Sequence, residues 1–304
     1  MNNFINKPSR GYISVTGGRI WYEIMGHDRQ GIPLIVLQGG PGASHTYMRH
    51  LEVLADERPV IFYDQLGTGK ADRPTDSSLW TIDRYVEELG QVWQKLGIEV
   101  GHIIGHSWGG MLAVDYALTK PKGLVSLILD NAPLSVPRRI DDVAVCRANM
   151  PNEIREVLDR HEAAGTMESE EYQQALMAFY QRHVCRISPW PDALTKAFSD
   201  INLDIYMTMQ GPNEFFFTGN LKDYDRTRRL HEIKVPTLFL CGRHGLVPPD
   251  TSAWFQSLLV GSELVVFEKS AEYAFLEEPE LYYRIVRDFI LRVESRREGI
   301  TDTL

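Results

Sequence analysis

The chain has 304 residues, 43% hydrophobic, 24% charged and 10% aromatic, which suits a globular protein with one large core and a covering layer. Its mean hydropathy of -0.24 and the lack of low-complexity runs exclude a disordered chain, and the lack of a repeating period excludes collagen-like and solenoid forms. Lys and Arg number 32 against 41 Asp and Glu, a net charge of -9 with no basic stripe, so nucleic acid is excluded as a partner.

The opening segment from Met1 to Pro8 holds no apolar run of the secretory kind, and no stretch approaches the length of a membrane span. Cys146, Cys185 and Cys241 are an odd set without metal-ligand spacing. They read as reduced thiols of a cytoplasmic protein, with no metal and no other cofactor expected.

The residues from Tyr12 to Val15 and from Arg19 to Ile24 flank Thr16-Gly17-Gly18, a hairpin signal. Two continuous apolar runs follow, Pro33 to Leu37 and Pro59 to Tyr63, each ending in a glycine-rich turn. Strands apolar on both faces belong to parallel sheets covered by helices on each side. Helical spacing from Ile82 to Leu96 comes next. A strand at His102 to Ile104, a helix at Met111 to Leu118 and a strand at Leu124 to Leu129 extend the alternation. The expected fold class is therefore α/β, a mostly parallel doubly wound sheet.

Alternation stops near Pro133. From 134 to 230 the pattern predicts helices at Asp142 to Asn149, Ile154 to Ala164, Glu170 to Cys185 and Asp192 to Ser199, then a loop from Gly211 to Gly219. Strands at Thr237 to Cys241 and Leu264 to Phe267, a helix near Thr251 to Leu259 and a closing helix from Pro279 to about Arg296 resume the alternation. Residues 1–133 and 231–304 thus form a core, and 134–230 a helical cap placed over the strand ends as a lid.

Gly105-His106-Ser107-Trp108-Gly109 fits G-x-S-x-G between a strand and a helix, where a sharp turn exposes a nucleophilic serine. Gln38-Gly39-Gly40-Pro41-Gly42, at an earlier strand end, can aim a backbone N–H at a developing oxyanion, with Trp108 N–H as second donor. Pro41 has no N–H, so Gly40 is the expected donor.

These segments resemble the proline iminopeptidase family of α/β-hydrolases over nearly the whole chain. The resemblance extends to Tyr63-Asp64-Gln65-Leu66-Gly67-Thr68-Gly69, to Gly211-Pro212-Asn213-Glu214-Phe215 in the cap, and to Gly219 through Asp225. Val235-Pro236-Thr237-Leu238 and Leu276-Glu277-Glu278-Pro279-Glu280 carry it past the cap. It implies a serine hydrolase that removes N-terminal residues from short peptides or hydrolyses small amides, with Ser107 as nucleophile. It also implies that Glu214 holds the substrate amine.

The resemblance breaks at the acid and the base. Relatives carry aspartate where Gly242-Arg243-His244-Gly245-Leu246 has Gly245, and histidine where Ser270-Ala271-Glu272-Tyr273 has Glu272. Gln38 stands where relatives open the oxyanion loop with histidine, and Leu246 where many carry a second amine-binding acid. His106 and His244 read as structural neighbours of the site rather than replacement bases, and Asp130 ends the strand before the cap without a partner imidazole.

An ordinary glutamate is a weak base for a serine hydroxyl, but burial beneath Phe215, Phe216 and Phe217 and beside Tyr273 and Phe275 would raise its pKa unless Arg243 or another cation lies close. The first expectation is a hydrolase of weakened or altered activity, with Ser107, Glu272, Gln38 and Glu214 around one pocket. The alternatives are a remodelled site using Glu272 as general base for non-hydrolytic chemistry, or a protein that binds peptides or amides without turnover.

Overall fold

The computed structural model describes residues 9–301; the expectation for the segment from Met1 to Pro8 lies outside the described residues. Strands β1 (Arg10–Val15) and β2 (Gly18–Met25) form the expected hairpin. Then come β3 (Leu34–Leu37), β4 (Val60–Asp64), α1 (Ile82–Leu96), β5 (Gly101–His106), α2 (Trp108–Leu118) and β6 (Leu124–Asp130). After the cap follow β7 (Thr237–Gly242) and β8 (Glu263–Phe267), with order β1-β2-β4-β3-β5-β6-β7-β8 across one sheet. The hairpin strand β2 is antiparallel to β4; from β4 to β8 all pairs are parallel.

The apolar runs divide between the two sheet faces with period two. Ile35, Leu37, Ile61, Tyr63, Leu127 and Leu129 enter one core cluster, while Leu34, Val36, Val60, Phe62 and Ile128 enter the other. Helices α1 and α2 cover the first face; a 3-10 helical stretch at His45–Asp56, which the sequence did not predict, covers the second with the closing helix. α1 starts where Thr81 caps Arg84 N–H and stops at Gly97, whose φ of 70° continues no helix.

Between β6 and β7 lie α3 (Val136–Ala148), α4 (Asn152–Ala164), α5 (Glu170–His183), α6 (Asp192–Ser199) and α7 (Leu203–Met209). α3 begins six residues before the predicted helix because Ser135 caps Arg138 N–H and Pro137 suits the first turn. α7 was not expected; Asn202 caps it by accepting from Asp204 and Ile205 N–H. Asn202 also ties the cap to the core, taking its N–H to the Gly42 carbonyl at 3.0 Å and its Nδ2 to the Gly67 carbonyl at 2.8 Å. Helices α8 (Pro249–Leu258), α9 (Ala274–Glu277) and α10 (Pro279–Thr301) complete the chain. No helix among the described residues is long and apolar enough to cross a membrane, and the three cysteines are free.

Candidate active site

Ser107 sits between β5 and α2 with φ 52° and ψ -118°, a strained conformation held by its surroundings. The strain survives because glycines let the backbone close around it: a Cβ on Gly109 would lie 2.1 Å from the Leu37 carbonyl oxygen, and one on Gly105 2.3 Å from the Gly109 carbonyl oxygen. Strand and helix meet at van der Waals distance, and the serine side chain is left half-exposed at the turn.

The serine opens into a chamber of about 290 Å³ between sheet and cap. Gly40, Ser107, Glu214 and Glu272 all line it, so the elbow serine, the loop after β3, the cap carboxylate and the loop after β8 converge. Gln38 does not. Its amide is folded inward, donating to the Tyr63 carbonyl at 3.1 Å and accepting from Gln65 N–H at 3.2 Å, which corrects the expectation that it reaches the pocket. Gly39 also stays behind the wall, its N–H committed to the Tyr47 hydroxyl at 2.5 Å, while Gly40 lines the chamber. Trp108 N–H begins α2 and has no intrahelical acceptor.

Glu272 is buried at 8% exposure. Burial is the main cause that pushes its carboxyl up to about 8; the field of Arg139 and the Ser107 hydroxyl pull the other way, and Glu214 and Asp130 add to the rise. The expected desolvation is present, but its source differs from the one anticipated. Phe215 packs edge-on against Phe179 within the cap, and neither Phe216 nor Phe217 lines the chamber. Arg243 is engaged with Glu268 on the surface, so the nearby cation is Arg139.

The loop carrying Glu272 is held by a chain of hydrogen bonds. Because the Glu272 carbonyl can only accept, His106 Nε2 must be the protonated nitrogen that donates to it at 3.1 Å. His106 Nδ1 then accepts from the Tyr47 hydroxyl at 2.9 Å, and that hydroxyl accepts from Gly39 N–H. Burial lowers the His106 pKa to about 4, so the ring stays neutral and structural, as the sequence suggested. The same carbonyl receives Asn131 Nδ2 at 3.0 Å. His244 lies outside the chamber; its carbonyl accepts from His183 Nδ1.

Gly245 is buried in the loop after β7, and a Cβ there would stand 3.1 Å from Asn131 Oδ1 and 3.2 Å from the Ala271 carbonyl oxygen. Asp130, at the end of β6, is fully buried; Tyr282 donates to it at 2.7 Å and Asn131 at 2.8 Å. Its pKa rises to about 7 because of burial, and it does not line the chamber.

Glu214 faces the chamber from the cap, already partnered. Arg139 Nη2 donates to it at 2.5 Å, the Tyr206 hydroxyl at 3.0 Å and Gln210 Nε2 at 3.1 Å. Arg139, Tyr206, Gln210, Tyr47 and Asn131 were not anticipated. The cue for Arg139 was available in the Ser135 cap that starts α3 early; the others depend on long-range contacts. Among the described residues no cluster of His, Cys, Asp and Glu could hold a metal ion.

The family model for the alpha/beta hydrolase fold matches residues 32–279. The proline iminopeptidase of Heyndrickxia coagulans is 44% identical over 283 residues, covering 93% of this chain and 98% of that protein. The proline iminopeptidase of Saccharolobus solfataricus is 34% identical over 298 residues, covering 97% and 96%. In three dimensions, the crystal structure of the proline iminopeptidase of Mycobacterium smegmatis superimposes with a TM-score of 0.90 at 36% identity, covering 95% of this chain and 100% of that one.

Proposed function

The chain belongs to the proline iminopeptidase family of α/β-hydrolases, and from that premise we propose that it hydrolyses small amides or short peptides through Ser107, with Glu272 as the proton acceptor. The observation that carries this is a buried carboxyl beside the serine of a strained elbow, in one chamber with Gly40.

Glu272 in its carboxylate form takes the Ser107 proton as Oγ bonds to the substrate carbonyl carbon. The resulting oxyanion accepts from Gly40 and Trp108 N–H. Protonated Glu272 then gives its proton to the leaving nitrogen as the C–N bond breaks. A water, deprotonated by Glu272, attacks the acyl-serine; the acid leaves and Ser107 regains its proton. A carboxyl pushed up to about 8 is a stronger base than an ordinary glutamate, yet only a minority is ionised at neutral pH. Turnover is therefore slow beside an imidazole-bearing relative. Gly245 supplies no acid to orient the base; the His106 and Asn131 side chains, bonded to the Glu272 carbonyl, hold the loop that carries it instead.

The raised pKa also favours a second reading, proton abstraction by Glu272 from a bound substrate without acylation of Ser107. Mass spectrometry during turnover of a prolyl or leucyl arylamide separates the two. An acyl adduct on Ser107, lost in Ser107→Ala, supports hydrolysis; turnover that survives Ser107→Ala but not Glu272→Gln overturns it.

A further inference from the structure

We infer that the chamber takes an uncharged, apolar acyl group, and that a free ammonium on the substrate weakens binding because Arg139 already occupies the cap carboxylate. The inference rests on the chamber being the acyl site proposed above. It departs from what the presence of Glu214 alone suggests.

Glu214 Oε2 takes Arg139, and Oε1 takes both Tyr206 and Gln210. Arg139 is itself 4% exposed, and its Nη1 is fixed on the Leu246 carbonyl at 2.8 Å, so the guanidinium cannot swing aside without losing a second bond. An incoming ammonium would meet a carboxylate whose charge is cancelled and whose lone pairs are mostly used, with a buried cation beside it.

The chamber's other acids do not replace it. Glu272 is held largely in its neutral form by burial at neutral pH. Glu168 lies at the mouth and is exposed, so water and salt screen it. The remaining lining is neutral: apolar Leu176, Val184 and Ile201 stand among Tyr172, Gln173 and Asn213, none of which brings a negative charge to meet an ammonium. Charge balance here selects against the cation rather than for it.

The test uses Ser107→Ala protein at pH 7, so that nothing turns over, and compares leucinamide with 4-methylpentanamide, the same skeleton without the amine. Calorimetric titration should find the desamino amide bound about tenfold more tightly. Arg139→Gln, which keeps a donor for the Leu246 carbonyl and removes the charge, should shift the ratio toward leucinamide. Tighter binding of leucinamide by the Ser107→Ala protein overturns the inference and leaves the hydrolase reading standing. Failure of both amides to bind overturns both. A ratio unmoved in folded Arg139→Gln also overturns the role given to Arg139; if that variant does not fold, the ratio in Ser107→Ala protein alone decides.

Discussion

Gly109, in the first turn after Ser107, and Gly245, in the loop after β7, are glycine for different reasons. A side chain on Gly109 would strike the Leu37 carbonyl oxygen at 2.1 Å, and one on Gly110 would strike Ala132 Cβ at 2.3 Å. At Gly245 the nearest atoms are 3.1 and 3.2 Å away, which a shift of a few tenths of an ångström would relieve. Backbone geometry therefore requires the elbow glycines and leaves the loop glycine optional. Packing thus fixes the elbow that carries Ser107, whereas the side of the site holding Gly245 and Glu272 can change its chemistry while the fold stays intact.

The largest effect should come from restoring that side. Glu272→His with Gly245→Asp places an imidazole beside Ser107 and a carboxyl in the space next to Asn131 and Ala271, and should raise turnover of a prolyl arylamide about a thousandfold. Steady-state rates measure it. An unchanged rate would mean that the nucleophile side is also impaired, which breaks the comparison.

Stability sharpens the same contrast. Gly109→Ala forces a Cβ into backbone and should cost about 3 kcal/mol or more, or prevent folding. Gly245→Ala should stay within about 1 kcal/mol. Chemical denaturation of the pair reads both; equal losses would show that Gly245 is a packing requirement too.

The strands and the elbow were readable from sequence because their signals are local: apolar runs of strand length and a G-x-S-x-G between strand and helix. α1 and α6 fall where their apolar spacing predicts. The site's electrostatics were less readable. The desolvation of Glu272 was foreseen, but part of it was assigned to the phenylalanines of the cap loop, none of which lines the chamber; Phe215 packs on Phe179 instead. Arg139 and Glu214 are 75 positions apart, and no local pattern says that they pair. Gln38 shows the same limit: a polar residue in a catalytic-looking loop turned inward because the neighbouring strand offered the Tyr63 carbonyl.

A smaller effect lies in the pH dependence of stability. The Glu272 carboxyl is raised from 4.5 to about 8, so the folded state holds a proton that the unfolded state releases. The stability linked to that proton is fully present below pH 4.5 and is lost as pH rises through 8. Glu272→Gln removes the loss and should raise Tm by about 2–4 °C at pH 8.5, with little change at pH 4.5. Asp130, raised to about 7 by burial, has the same sign, so part of the decline should persist in the variant. Thermal melts across this range would contradict the burial of Glu272 if the two proteins ran parallel.

The claim that Glu272 activates Ser107 is tested most directly by the rate of fluorophosphonate labelling of Ser107 against pH. The carboxylate is the active form, so labelling should rise through a midpoint near pH 8 and level off above it. In Glu272→Gln that titration should vanish and the rate should fall about a hundredfold. A labelling rate that is flat across the range, or unaffected by Glu272→Gln, would contradict the account.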